Sequence, residues 1–152
     1  MIYNDCEIQK ALKDDLPEIL ELQRLAFRPE AVSLNDFSIS PMTQTLEELQ
    51  REFDEWIILK MEQDGKIIGS VRTHAEGNTA YINRIVVHPE YWNQGFGKCL
   101  LKAAEDAFPG KRYELFTRLE TNKNVALYEK CGYKAFRRDE IKTGFTFVYM
   151  EK

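Results

Sequence analysis

The run Asn93-Gln-Gly-Phe-Gly-Lys98 lies between a β-rich stretch ending at Val87 and a helical pattern that repeats Phe96, Leu100, Ala104 and Phe108. It is therefore a loop that opens a helix. A helix amino terminus carries backbone N–H groups without intrahelical partners and a partial positive charge. Gly95 and Gly97 have no Cβ to hold an anion away from those donors. Such a loop can grip a phosphate or diphosphate; a Gly-rich turn that only starts the helix would use the same residues. The spacing is neither that of a Walker A loop nor GxGxxG, and the preceding strand arrives from a hairpin. ATP and dinucleotide sites fit it poorly. Cys6, Cys99 and Cys131 are odd in number and widely spaced, with no CxxC pair. Each reads as a small core residue rather than a ligand or nucleophile, and no metal is expected.

The elements that must position this loop follow from periodicity and punctuation. Cys6 to Leu12 reads as a strand, and Asp15-Leu-Pro-Glu18 as a helix start whose apolar face is Leu16, Ile19, Leu20 and Phe27. Arg28-Pro29 is expected to stop that helix. Glu30 to Pro41 has no clean period, and Thr45-Leu-Glu-Glu48 is a capping box opening a helix to about Asp54. Trp56–Met61 and Lys66–His74 are strands joined at Gln63-Asp64-Gly65; Gly77-Asn78 turns the chain into Thr79–Val87. The glycine loop's helix ends at Pro109-Gly110. Tyr113–Leu119 is a strand, Asn122 to about Lys130 a helix closed by Gly132, and Tyr133–Arg138 and Phe145–Met150 are two more strands. The expected fold is mixed α/β: a mostly antiparallel central sheet of about seven strands with about four helices on its faces, residues 1–152 forming one domain. The crossover between Thr79 and Leu119 is long enough to make two strands parallel, which places a ligand site beyond their carboxyl ends.

Composition excludes other classes. A net charge of -4, with Lys and Arg scattered, lacks the electrostatic footprint of a duplex binder, so no nucleic acid partner is expected. Met1–Cys6 carries neither a basic segment nor an apolar run, and nothing approaches the roughly 18 apolar residues of a span, which points to a cytoplasmic protein with no membrane partner. If the chain assembles, a two-fold homodimer is the commonest form.

The segment Ile85-Val-Val-His-Pro-Glu-Tyr-Trp-Asn-Gln-Gly-Phe-Gly-Lys-Cys-Leu-Leu101 resembles the acetyl-CoA-binding segment of the GCN5-related N-acetyltransferases, the GNAT family, and the element order is similar as well. That family's loop follows (Arg/Gln)-x-x-Gly-x-(Gly/Ala); Gly95 and Gly97 take the glycine positions, while Trp92 departs from the Arg/Gln position. The resemblance implies that the main chain of Asn93, Gln94, Gly95, Phe96, Gly97 and Lys98 binds the CoA diphosphate. It also implies that the edge of Ile85, Val86 and Val87 pairs with the pantetheine amides like an added strand.

Leu119–Tyr133 resembles the family's second motif, a short helix before a Gly-aromatic turn, and Tyr128 matches its tyrosine. The resemblance assigns Tyr128 as the general acid that protonates the departing thiolate. Asn124, four residues earlier on the same helical face, is the candidate CoA contact, with Thr121 and Asn122 as further contacts or simple caps. The implied activity is acetyl transfer from acetyl-CoA to a primary amine of a small molecule. A peptide amino terminus as acceptor and a CoA-sensing domain without turnover are the alternatives. His74, Glu76 and Glu120 are candidates for the general base, none preferred. Substrate selection is expected from Glu30–Pro41, where Glu30 and Asp36 could receive a cation, and from strand ends near Tyr81 and Phe145.

Overall fold

The computed structural model describes residues 2–3, 6–120, 124–142 and 145–152. Two strands, β1 (Ile2–Tyr3) and β2 (Cys6–Lys10), precede helix α1 (Leu16–Leu34), a single helical turn α2 (Ser40–Thr43) and α3 (Leu46–Glu55). Strands β3 (Ile57–Gln63), β4 (Lys66–Glu76) and β5 (Thr79–Val87) follow, then α4 (Phe96–Asp106), β6 (Arg112–Arg118), α5 (Asn124–Lys130), β7 (Lys134–Lys142) and β8 (Phe145–Glu151). They form one eight-stranded sheet in the order β1-β2-β3-β4-β5-β6-β8-β7. Every pairing is antiparallel except β5 with β6, where α4 makes the crossover. Seven of these strands are those expected from sequence; the eighth is the two-residue β1. Among the described residues no helix is long and apolar enough to cross a membrane.

Local chemistry fixes the turns. Asp64 (φ 53°) and Gly65 (φ 78°) form a two-residue hairpin with both central residues left-handed, the turn whose twist matches its strands. The capping box forms as its residues dictate: Thr45 N–H donates to Glu48 Oε1 at 2.9 Å and Glu48 N–H to Thr45 Oγ1 at 3.2 Å.

Pro29 does not stop α1, which continues to Leu34 and ends at Asn35 in the left-handed region. An interior proline costs about 3 kcal/mol. The helix persists because its last turns bury Ala31 and Leu34 against Ile39, with Met42 and Phe145 packed on them, and full burial of one Leu side chain is worth about 1.5–3 kcal/mol.

Helices cover the two faces of the sheet unequally. α4 and α5 bury Phe96, Leu100, Leu101, Ala104 and Tyr128 against Met61, Ile68, Val71, Ile82, Leu115, Val148 and Met150. On the opposite face α1 and α3 bury Leu16, Ile19, Leu20 and Leu49 against Ile58, Ile67 and Val86. Gly69 of β4 lets the first of these layers pack closely, since a Cβ there would meet Leu100 Cδ1 at 2.9 Å and displace that side chain. A buried polar knot ties α1, α2 and α3 to β4. Arg72, 1% exposed, donates to Gln23 Oε1, to Gln44 Oε1 at 3.2 Å and to Glu52 Oε2 at 2.9 Å, while Gln23 donates to the Pro41 carbonyl at 2.9 Å. Burial pushes the Arg72 guanidinium down to about 10, opposed by Glu52.

Candidate active site

The β5–β6 ladder holds only Thr79–Arg112, Ala80–Tyr113 and Tyr81–Glu114. Beyond Tyr81 the two strands part. β5 continues to Val87 beside β4, and β6 continues to Arg118 beside β8. Where β5 passes the fork its register against β4 shifts between Ser70 and Arg72, and Arg84 takes φ 53°. That bulge turns the strand away from β6. On the side away from β4, Ile82–Val87 thus presents an edge that, among the described residues, has no ladder partner. Unpaired backbone N–H and C=O groups are what an extended ligand requires.

At the end of this edge the chain passes through a one-turn helix at Pro89–Tyr91 into the glycine loop. Asn93 (φ 63°) and Gly95 (φ 83°) are both left-handed, and Gly95 is the N-cap of α4. The first intrahelical bond runs from Cys99 N–H to Gly95 O, so the N–H groups of Phe96, Gly97 and Lys98 belong to the free first turn. Phe96 points its ring into the core while Asn93, Gln94, Gly95 and Lys98 are exposed. A Cβ built on Gly97 meets no protein atom within 4 Å. Its glycine is therefore not demanded by packing, and open space lies beside the donors. Trp92 donates its indole N–H to the Val87 carbonyl at 2.7 Å, bracing the loop against the strand it leaves.

Val86 is buried under α1; Ile85 and Val87 are half-buried against the α4 layer. Tyr128 of α5 lies in that same layer, 7% exposed, its ring 6.2 Å from Tyr133. Burial, with a smaller contribution from Cys131, raises its phenol well above the ordinary range. Asn124 opens α5 and is half-buried. Thr121 and Asn122 lie outside the described residues.

The three base candidates separate. Glu120 accepts from Thr146 N–H at 3.0 Å, and that bond holds its carboxyl below the usual value. Glu76 is exposed and 3.4 Å from His74 Nε2. His74 meets the Glu55 carbonyl through Nδ1 at 3.0 Å, which makes Nδ1 the protonated nitrogen, and its ring lies 5.3 Å from that of Trp56.

A cleft of about 260 Å³ sits at the fork, lined by Trp56, Tyr81, Ile82, Asn83, Glu114, Leu115, Phe116 and Tyr149. Of these only Tyr81 was expected from sequence. The rest carry no local motif; the available signal was Phe116, Phe147 and Tyr149 alternating along two strands. A neighbouring polar cleft of about 410 Å³ is lined by Ser40, Thr43, Gln44, Glu48, Arg51, Glu52, Glu55 and Arg84. Glu30 pairs with Arg118 at 3.7 Å, and Asp36 accepts from Ser38 N–H at 2.9 Å. Phe145 joins the cluster of Leu34 and Ile39 rather than the fork.

Comparison with known proteins gives a match over residues 16–133 to the family described as "Acetyltransferase (GNAT) family". The Bacillus methanolicus protein described as "Uncharacterized N-acetyltransferase in lysA 3'region" is 29% identical over 116 residues, 75% of this chain and 87% of that one. Among solved structures, the PaiA N-acetyltransferase of Thermoplasma acidophilum in complex with coenzyme A superposes with a TM-score of 0.79 at 24% identity, covering 97% of this chain and 98% of that one. The ribosomal-protein-S18-alanine N-acetyltransferase of Escherichia coli superposes at 0.78 with 19% identity, covering 96% and 92%. The two superpositions establish the likeness of fold.

Proposed function

The chain belongs to the acetyltransferase (GNAT) family, and from that premise we propose that it transfers an acetyl group from acetyl-CoA to the primary amine of a small molecule, Tyr128 acting as general acid. The observation that carries this reading is the junction of the unpaired β5 edge with the free amino terminus of α4 and the open space beside Gly97. A diphosphate fits the first-turn donors, and an amide-bearing chain fits the strand edge.

The bound acetyl-CoA would supply the activated acetyl thioester. The protein's part is to orient it and to manage protons. Main-chain N–H groups of residues 93–98 grip the anion, the Ile85–Val87 edge aligns the arm, and Asn124 adds a side-chain contact from α5. The Val87 carbonyl already accepts one bond from Trp92, which leaves it a second lone pair. Burial keeps Tyr128 in its phenol form, the state a proton donor to the thiolate requires. His74 is the base candidate whose ring touches the cleft wall, through Trp56. Residues 1–152 would act as one N-acetyltransferase domain in the cytoplasm.

The test is a thermal-shift panel followed by thiol release. CoA and acetyl-CoA are expected to raise the melting temperature and ATP and NAD to leave it unchanged. Thiol release should appear only when an amine is added, with the acetylated amine found by mass. Stabilisation by CoA without turnover on any amine would instead mark a sensing domain, and stabilisation by ATP alone would overturn the reading.

A further inference from the structure

We infer that the fork cleft selects a primary amine borne by an alkyl or arylalkyl group and disfavours polycationic acceptors; this rests on the acetyl-transfer reading and names its acceptor. The cleft's walls are the rings of Trp56, Tyr81, Phe116 and Tyr149, brought together from the end of α3 and from β5, β6 and β8. Its single carboxylate, Glu114, pairs with Arg112 at 2.8 Å, a guanidinium it shares with Glu151 of β8 at 2.7 Å. Its single amide, Asn83, accepts from the Arg84 N–H at 2.9 Å through Oδ1.

The surroundings are unfavourable to a second cation. Phe116 pairs with Tyr149 and Arg118 with Phe147 across β6 and β8, and Tyr149 pairs with Arg137 of β7, so these side chains share one sheet face. On that face three guanidiniums already lie over aromatic rings: Arg112 over Phe136 at 5.1 Å, Arg118 over Phe147 at 5.0 Å and Arg137 over Tyr149 at 3.8 Å. The Tyr149 ring that lines the cleft has thus taken its cation. The adjoining polar cleft offers no net attraction either, since Glu48, Glu52 and Glu55 face Arg51 and Arg84, with Arg72 bonded to Glu52 behind them. Glu30 is paired with Arg118, and Asp36 bonds Ser38.

What remains is a slot that rewards apolar contact. It also favours the neutral amine over the ammonium, because an apolar wall penalises the charged form. Only the neutral amine can attack, so the same walls that choose the substrate ease its deprotonation. A polyamine would find each rim carboxylate already holding a guanidinium: Glu114 and Glu151 on Arg112, Glu30 on Arg118 and Asp139 on Arg137.

The experiment compares kcat/KM for phenethylamine, hexylamine, putrescine and spermidine in the wild-type protein, Phe116→Ala and Phe116→Glu, with CoA affinity measured calorimetrically on each. Phenethylamine and hexylamine are expected to exceed spermidine by roughly 10-fold or more, the scale on which apolar pockets discriminate. Phe116 is half-exposed, so its variants keep the core. Phe116→Ala should reduce the apolar amines by about 10-fold with CoA affinity unchanged, and Phe116→Glu should shift the ratio toward spermidine. Preference for spermidine in the wild type, or indifference of both variants to the amine, would overturn the inference while acetyl transfer stands. Failure of the wild type to bind CoA or to acetylate any amine would remove the transfer reading and this inference together.

Discussion

The two sides of the fork between β5 and β6 are built from different material. On the side of α4 the proposed working groups are mostly main-chain, left-handed Asn93 and Gly95, the first-turn N–H groups and the edge of β5, with the side chains of Asn124 and Tyr128 added from α5. On the opposite side they are side chains, those of Trp56, which follows α3, and of residues on β5, β6 and β8. A main-chain site needs only a backbone path, so on the proposed reading it would tolerate Trp92 where the resemblance leads one to expect Arg or Gln. A side-chain site changes its preference with one substitution. If the proposed reading holds, the contrast places the constraint on residue identity lightly at the glycine loop, beyond the absence of Cβ atoms, and heavily at the fork cleft.

The largest expected effect falls at Tyr128, in the layer on the side of α4. Tyr128→Phe keeps the packing of a residue that is 7% exposed but removes its proton. Acid–base groups typically contribute about 10²–10⁴-fold, so kcat should fall at least to the lower end of that range with CoA affinity intact. Steady-state kinetics beside calorimetry checks this, and full turnover in the variant would take Tyr128 out of the chemistry.

Gly97→Leu probes the main-chain side alone. Since a Cβ there meets nothing within 4 Å, the variant should fold normally. Residue 97 is the second residue of α4, where replacing glycine removes at most part of the mid-helix penalty of about 0.5–1 kcal/mol, so the melting temperature should hold or rise slightly. The same side chain fills space beside the anion donors. Overpacking of about 1–3 kcal/mol corresponds to roughly a 5- to 150-fold loss of CoA affinity. Unchanged affinity in a stabilised variant would break the contrast at its root.

Legibility follows the same division. The glycine loop, the Thr45–Glu48 capping box and the Asp64-Gly65 hairpin are local, and their residue types demand what the structure has. Pro29 misleads because the proline rule is local while the reason α1 continues is not: Ala31 and Leu34 find Ile39 and Phe145 from distant segments. The cleft was illegible for a related reason. Arg112, Glu114, Phe116 and Arg118 alternate along β6 as in any half-buried strand, and only the placement of α1 and α3 over β3, β4 and β5 leaves that face of β6, β8 and β7 largely uncovered, reached by the last turns of α1 through Glu30 and Leu34. Glu30 and Asp36, which as sequence look ready for a cation, bond instead within the chain.

A pH profile sharpens the comparison from the proton side. Burial raises the Tyr128 phenol above its ordinary value near 10, so its protonated form persists through the alkaline range. With an apolar amine, kcat/KM should rise with pH as the acceptor loses its proton and show no descending limb up to about pH 10. A fall beginning near pH 8 would mean that the donor's pKa lies below the ordinary tyrosine range, and would reassign the acid.

The smallest effect is expected at Trp92. Its indole N–H bonds the Val87 carbonyl at 2.7 Å, yet the ring is 43% exposed. An intramolecular hydrogen bond is worth about 0.5–1.5 kcal/mol net, and less where water can replace it. Trp92→Phe should therefore lower the melting temperature by only about 1–3 °C. If the anion grip is main-chain, CoA affinity should stay within about threefold, less than 1 kcal/mol. A loss of thirtyfold would mean that the indole itself holds the cofactor, and the division between a backbone-built side and a side-chain-built side would no longer describe this molecule.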